Sequence, residues 1–148
     1  MIEISNKTVK DLFGAFLIEG AQWVGREEYP KIEEWMVPTE PPSNIIPFDK
    51  IYEVKDLSKC FICFYCRDES FSKILKNPKK YINLLRKAAG IIGFDFSVYI
   101  DMPLLKQKRQ IANNLSLSYF FGSNGIPVIP NIRYGVGETC EDFLKAIP

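Results

Sequence analysis

Three cysteines in one short apolar segment have a spacing that is typical of metal sites. Cys60, Cys63 and Cys66 form a C-x2-C-x2-C pattern, and Cys140 is a possible fourth ligand. The residues between them are Phe, Ile and Tyr, which favour a strand and resist the tight loop that a metal site needs. On a strand, Cys60 and Cys63 point to opposite faces, and Cys60 lies about 20 Å from Cys66 at ~3.3 Å per residue. We therefore predict a strand over 60–66 that is buried on both faces, with free thiols and no metal.

The 148-residue chain contains no histidine, which excludes several common catalytic arrangements. Histidine-activated nucleophiles, histidine-ligated zinc and imidazole acid–base catalysis are all ruled out. Any proton transfer must use Asp, Glu, Lys, Tyr or Cys. The net charge of +1 gives no global attraction to nucleic acid or to anionic lipid. No motif indicates a cofactor, and we expect none.

The sequence predicts a protein that does not enter a membrane. It has no run of ~18 apolar residues, which is the length that a transmembrane helix needs. Its first residues, MIEISNKTVKDLF, lack the basic and then apolar stretches of a secretory signal. We therefore expect a cytoplasmic protein, in which the four cysteines are free thiols.

From residue 59 onward, strand and helix patterns alternate along the chain. Asn77 and Pro78 restart a helix, and Pro103 opens a long one. The order β-α-β-α-β-α predicts an α/β fold with a small, mainly parallel sheet. Pro127 and Pro130 in the last strand predict that it lies at an edge or carries a bulge. The expected elements are strands over 60–66, 91–100 and 126–134, helices over 69–76, 78–89 and 103–121, and a short terminal helix.

Several polar residues are placed to cap these helices. Asp68 and Asp101 precede predicted helices, where a carboxylate accepts hydrogen bonds from exposed backbone N–H groups. Thr139 and Asp142 have the spacing of a capping box and predict the start of the terminal helix.

Residues 1–58 have a different pattern from the rest of the chain. An amphipathic helix over 9–19 is followed by a segment with five prolines, which exclude long regular elements. The same segment contains enough aromatic and aliphatic residues to pack against a core. We expect a single domain over 1–148, in which an irregular Pro-rich arm, 1–58, packs against the α/β body, 59–148.

The predicted strand over 91–100 carries a row of polar side chains on one face, which is unusual for a parallel sheet. In such sheets, ligands bind at the carboxyl ends of the strands. A buried carboxylate at Asp95 needs a partner, and Arg133 or Arg67 is the obvious candidate. The polar row consists of Asp95, Ser97, Tyr99 and Asp101.

Two interpretations of this row remain open. In the functional one, Asp95 and Asp101 act as acid and base or bind a cation, and Arg133 holds an anion. In the structural one, Asp68 and Asp101 cap helices and Asp95 accepts structural hydrogen bonds. The candidate catalytic residues are Asp95, Ser97, Asp101 and Arg133, and the candidate ligand-binding residues are Asp68, Tyr99, Asn131, Gly135 and Gly137.

The segment GVGET, 135–139, offers a weak phosphate-binding signal. It follows a strand and precedes a helix, so its backbone N–H groups could hold a phosphate. Short glycine-containing loops are common at such places. The segment FGSNG, 121–125, precedes a strand instead, which makes it a turn and excludes a P-loop.

Basic residues recur at helical spacing over the first crossover. A solvated helix face is the usual meaning of such spacing, and it is our preferred interpretation. The alternative is an electrostatic footprint for a nucleic-acid backbone, although no aromatic residues are interleaved as a base-reading motif would require. The residues are Lys73, Lys76, Lys79, Lys80, Arg86 and Lys87, with a second cluster at Lys106, Lys108 and Arg109.

Four segments together resemble a known family: NIIPFDKI, RDESFSKILKNPKKYINLL, GFDFSVYIDMP and GIPVIPNIRYG. Over residues 20–148 the chain is similar to an uncharacterised domain family of bacteriophages and mobile elements in low-GC bacteria. The more specific parts are 95–97, 102–103 and 125–130. Family members usually have Trp where this chain has Arg133 or Tyr134, and they continue past a segment like Ile147-Pro148. The resemblance therefore implies a naturally short or a truncated version, and it implies no activity.

Two functions are consistent with these observations. The first, which we prefer, is an accessory protein of a phage or mobile element that binds a host protein or a nucleic-acid-associated complex, for example to counter host defence. The second is a small hydrolase that acts on a phosphorylated or nucleotide-like substrate, with its carboxylates at the carboxyl ends of the strands.

Overall fold

A four-stranded parallel sheet forms the centre of the computed structural model, which describes residues 11–148. A separate antiparallel hairpin precedes it in the chain. The predicted α/β class with a small parallel sheet is confirmed. The hairpin consists of β1 (Trp23–Val24) and β2 (Tyr29–Pro30), and the sheet, in spatial order, consists of β3 (Asn44–Pro47), β4 (Cys60–Cys63), β5 (Gly90–Ile92) and β6 (Val128–Ile129).

Helices connect the strands of the sheet, as parallel pairing requires. No helix within 11–148 is long and apolar enough to span a membrane. The α-helices are α1 (Asp68–Lys76), α2 (Ile82–Leu85), α3 (Leu104–Ser123) and α4 (Gly137–Lys145), and the 3-10 helices are Ala15–Ile18, Glu34–Met36, Phe48–Glu53, Leu57–Lys59 and Pro78–Tyr81.

The strands are shorter than the sequence predicts. In the apolar run over 91–100, strand pairing ends at Ile92. The backbone N–H groups of Phe94 and Phe96 instead donate to side chains of α3. The last strand is only Val128–Ile129, since Pro127 and Pro130 on either side have no N–H to donate. It lies at an edge of the sheet, as those prolines predict.

The Pro-rich arm contributes a strand that the sequence analysis does not predict. β3 pairs in parallel with β4 over its full length, from Asn44 opposite Cys60 to Pro47 opposite Cys63. It lies at the other edge of the sheet, where a proline costs least. The expected helix over 9–19 begins outside the described residues, and its described part holds only the 3-10 turn of Ala15–Ile18.

The predicted helix caps are wrong in detail. Asp68 is the first residue of α1, and its carboxylate bonds to Ser97 and does not cap the helix. Pro103, not Asp101, precedes α3, and it offers no side-chain cap. The short segment that follows Asn77 also begins without a side-chain cap.

Thr139 and Asp142 do not form the predicted capping box. α4 begins at Gly137, so both residues lie within the helix. The Thr139 hydroxyl accepts from the N–H of Gly135 at 3.0 Å and donates to the carbonyl of Val136 at 2.7 Å. It therefore shapes the loop before the helix.

Stacked phenylalanines fill the core between the sheet and its helices. The rings of Phe64 and Phe94, which follow neighbouring strands, stack with their centroids 4.0 Å apart. Phe71 of α1 and Phe121 of α3 pack against Phe94 from the two crossovers. A second core lies where the β1–β2 hairpin and α4 pack on α3, and it is built from Tyr29, Ile32, Met36, Val98, Ile111, Leu115, Tyr119, Phe143 and Ala146.

A row of uncharged polar side chains on α3 forms hydrogen bonds with the backbone of residues 94–102. These bonds take the place of those that a neighbouring strand would make. The amide of Asn114 accepts from the N–H of Phe96 at 2.7 Å and donates to its carbonyl at 3.1 Å. One turn away, Ser118 accepts from the N–H of Phe94 at 3.2 Å. We call Gln107, Gln110, Asn114 and Ser118 the polar stripe.

The N-terminal half of the polar stripe fixes two loops. Gln110 donates to the carbonyl of Ser97 at 3.3 Å. Gln107 is 1 % exposed; it donates to the carbonyl of Met102 at 2.8 Å and accepts from the N–H of Val136 at 3.0 Å. The stripe therefore sets the path of the chain after β5 and ties it to the loop that precedes α4.

Gly93 lies where the segment after β5 passes close to both α3 and the segment after β6. A Cβ atom at this position would lie 3.0 Å from the Ser118 hydroxyl oxygen and 3.1 Å from the backbone nitrogen of Asn131. Any larger residue here would have to displace α3 or the segment after β6 by a few tenths of an ångström.

The polar stripe leads to a first prediction. Replacing Asn114 with Leu keeps the branching at Cγ but leaves the buried N–H and carbonyl of Phe96 without partners. We expect the free energy of unfolding to fall by about 2–4 kcal/mol, measured by urea denaturation. The control is Asn83→Leu, which makes the same change at an exposed position of α2 and should alter the free energy of unfolding by less than about 0.5 kcal/mol. Equal losses in the two variants would show that Asn114 has no special role.

Candidate functional site

A cleft of about 670 Å³ opens at the carboxyl ends of β4, β5 and β6. This is the edge at which parallel α/β sheets bind ligands. The cleft collects side chains from three loops that are far apart in sequence. Its lining residues are Tyr65, Cys66, Arg67, Asp68, Glu69, Asp95, Ser97, Tyr99, Met102 and Arg133.

Asp68 clamps the start of α1 to the segment that follows β5. Its carboxylate accepts from the backbone N–H of Ser97 at 3.1 Å and from the Ser97 hydroxyl at 3.0 Å. Because the Ser97 hydroxyl donates to a carboxylate, it can act only as an acceptor toward a ligand. Asp68 and Ser97 thus form a fixed wall of the cleft.

Asp95 is a largely buried carboxylate in the cleft. Its side chain is only 14 % exposed, and burial raises its pKa above the ordinary value for an aspartate. Two contacts oppose that rise: Asn131 donates to Oδ1 at 2.8 Å, and the Arg133 guanidinium lies 3.5 Å from Oδ2. The pairing with Arg133 matches the partner that the sequence suggests.

Asn131 links Asp95 to the loop after β4. Its side-chain oxygen accepts from the Tyr65 hydroxyl at 3.0 Å, while its amide nitrogen donates to Asp95. Tyr65, Asn131, Asp95 and Arg133 therefore form one chain of contacts across the ends of three neighbouring strands. Tyr65 and Tyr99 remain about half exposed, and their rings offer flat apolar surfaces at the mouth.

The structure brings most of the predicted site residues together. Asp68, Asp95, Ser97, Tyr99 and Arg133 all line the cleft. Asn131 does not line it, but it holds Asp95.

Three predicted site residues lie elsewhere. Asp101 is exposed in the turn before α3 and does not line the cleft. Gly135 and Gly137 also lie outside it. The N–H of Gly135 already donates to Thr139, and its Cα packs against the Gln107 side chain so closely that a Cβ would clash.

Five lining residues are not among the candidate site residues that the sequence predicts. Of these, Arg67 enters only as a possible partner of Asp95, and Cys66 only as a possible metal ligand. Tyr65 and Cys66 fall inside the predicted strand over 60–66, whereas β4 ends at Cys63. Burial raises the pKa of the Cys66 thiol, which keeps it protonated. The five residues are Tyr65, Cys66, Arg67, Glu69 and Met102.

The cysteine pattern does not assemble into a cluster. All four cysteines are free thiols; Cys60 and Cys63 are buried, and Cys66 is partly exposed in the cleft. Among the residues that the structure describes, no group of three or more His, Cys, Asp or Glu side chains is arranged to hold a metal ion.

The charges of the cleft suit a ligand of mixed polarity. Asp68, Glu69 and Asp95 are balanced in part by Arg67 and Arg133. The arginines can bind an anionic group in a bidentate way, and the acids can accept from N–H groups of the same ligand.

A family model described as Domain of unknown function (DUF4417) matches residues 22–148. The chain belongs to this family. The match covers the central sheet and every lining residue of the cleft, so the cleft is part of the DUF4417 domain. The expected resemblance to an uncharacterised family is confirmed. No curated protein and no solved structure matches the chain.

The contacts of Asp95 give a second prediction. Replacing Asn131 with Leu removes a hydrogen bond that stabilises the ionised carboxylate, so the pKa of Asp95 should rise further. The measurement is a pH titration of the Asp95 side-chain carbon by NMR. Asn83→Leu, which changes an exposed residue of α2 that does not line the cleft, should leave that pKa unchanged. An unchanged or lower pKa in the Asn131 variant would contradict the assigned contact.

Proposed function

We propose that the cleft binds a phosphorylated, nucleotide-like small molecule and hydrolyses it. The observation that carries this proposal is the pairing of a largely buried carboxylate, Asp95, with the Arg133 guanidinium in an open cleft at the carboxyl ends of parallel strands. A base and an anion-binding group side by side are two of the groups that hydrolysis of a phosphate ester uses.

Asp95 is the general base in this proposal. Because burial raises its pKa, it is a stronger base than an aspartate in water. It accepts a proton from a water molecule as the water oxygen bonds to phosphorus. The bond between phosphorus and the leaving oxygen breaks, and that oxygen takes a proton from solvent.

The remaining residues of the cleft bind and orient the substrate. Arg133 and Arg67 neutralise the phosphoryl oxygens, which is the main electrostatic demand of this reaction. The half-exposed rings of Tyr65 and Tyr99 can stack on a nucleobase. Ser97, whose hydroxyl donates to Asp68, positions the substrate in this proposal.

The third prediction tests this chemistry. The wild-type protein is incubated with nucleoside mono-, di- and triphosphates, and released phosphate is measured. Asp95→Asn should lower the rate by ~10²–10⁴-fold, because the base is lost while the shape is kept. Arg133→Met should mainly raise KM. The control is Glu141→Gln, an exposed acid on α4. Absence of turnover together with absence of binding by calorimetry for the whole panel would reject the proposal.

A second candidate function is the role of an accessory protein of a bacteriophage or mobile element, which binds a host protein or a nucleic-acid-associated complex. Its support is a set of exposed apolar side chains beside the cleft. Ile100 is 73 % exposed and Leu105 is 78 % exposed. Ile100 lies between Tyr99 and Met102, which line the cleft, and Leu105 is in the first turn of α3. We call Ile100 and Leu105 the apolar rim. Exposed apolar patches commonly mark protein-binding surfaces.

The fourth prediction concerns this apolar rim. The purified protein is immobilised and exposed to a lysate of a low-GC bacterial host, and the retained proteins are identified by mass spectrometry. A specific partner should be retained by the wild type and lost with the double variant Ile100→Ser/Leu105→Ser. The control, Tyr52→Ser, changes a side chain that is 87 % exposed elsewhere and should retain the partner. Equal retention by all three proteins would contradict a role for the rim.

A further inference from the structure

A segment of 15 residues, 73–87, concentrates positive charge on the helical layer. It contains six basic residues, and no acidic residue occurs anywhere from 70 to 94. All six side chains are exposed. We call this set the basic face: Lys73, Lys76, Lys79, Lys80, Arg86 and Lys87.

The packing of the segment orients the basic face toward solvent. Phe71 and Ile74 of α1 and Leu85 of α2 are fully buried in the main core. The lysines occupy the alternate positions of the same helical turns, so they project away from the sheet. The basic residues therefore form the outer surface of one crossover.

The cations of the basic face lack carboxylate partners. Within residues 11–148, none of the six lies in a salt bridge, whereas Lys108 contacts Glu27 at 2.5 Å and Glu138 at 2.7 Å. Lys79 lies 4.7 Å from the centre of the Phe16 ring, and Arg86 donates to the carbonyl of Asn124 at 3.0 Å. These two contacts fix the direction of the side chains without neutralising their charge.

The charge of the chain is thus unevenly distributed. The basic face holds six of the 19 basic residues, which leaves 13 against 18 acidic residues in the rest of the chain. The net charge of +1 hides this separation. With this distribution, the basic face has a positive electrostatic potential, and the rest of the surface repels polyanions. An anionic partner therefore approaches from the side of the basic face.

We infer that the basic face binds the phosphodiester backbone of nucleic acid without reading its sequence. Five of its six residues are lysines, which are flexible point charges suited to phosphate and not to base edges. The one aromatic residue within 73–87, Tyr81, packs against Phe48 at a centroid distance of 6.2 Å and is not free to stack on a base.

The basic face lies away from the cleft. Arg86 and Lys87 precede the first residue of β5, whereas the cleft lies beyond the last residues of the strands. Lys76 is at the end of α1 opposite to Asp68, which lines the cleft. Binding of nucleic acid here does not depend on the proposed hydrolysis, and either function can fail without the other.

The fifth prediction is a salt-dependent binding measurement. A fluorescent DNA duplex and an RNA duplex of the same sequence, ~24 base pairs long, are titrated with the full chain from about 25 to 200 mM KCl, and anisotropy is recorded. Both should bind, and log K should fall linearly with log salt concentration. The triple variant Lys76→Gln/Lys80→Gln/Lys87→Gln should reduce the slope on DNA by about 2–3, at ~0.9 for each phosphate that the protein no longer neutralises.

The matched control is Lys55→Gln/Lys106→Gln/Lys145→Gln. It removes the same number of charges from exposed lysines outside the basic face and should keep the wild-type slope. Equal weakening by the two triple variants would show that net charge, and not this surface, governs binding. Absence of binding at the lowest salt would overturn the inference. Equally tight binding of polyglutamate would also overturn it, in favour of an acidic protein partner.

Discussion

The polar stripe of α3 is the interaction on which the site depends. Beyond β5 the chain has left its ladder with β4, and its backbone groups are buried without a full set of strand neighbours. Unpaired groups of this kind cost more than a hydrogen bond contributes, so the side chains of Asn114 and Ser118 must supply the partners. The rotation of α3 about its axis therefore determines where Asp95 and Ser97 lie.

The cleft is held together by side chains and not by the sheet. Asp68 joins the first loop to the second through Ser97, and Asn131 joins the third loop to the first through Tyr65 and to the second through Asp95. Each loop thus has its position specified by a residue of another loop. Such cross-linked loops keep a site rigid although none of its lining residues lies within a strand.

The sequence predicts the fold class, an edge position or a bulge for β6, and a pairing of Asp95 with Arg133 or Arg67, because alternation and parallel order bring strand ends together. It does not predict β3, since Pro47 argues against a strand unless the strand is known to lie at an edge. It also misses the polar stripe. Buried Gln107 and Asn114 have the same helical spacing as solvent-facing polar residues, and only the three-dimensional arrangement distinguishes them.

Prolines flank both outer strands of the sheet, and this has a consequence for behaviour at high concentration. β6 is bracketed by Pro127 and Pro130, and β3 is preceded by Pro42 and ends in Pro47. A proline removes the donor that an incoming chain would need, so neither border can readily template intermolecular pairing. Both edge strands can therefore remain unpaired without promoting fibre formation. The small sheet needs no additional strand or helix to cover its edges.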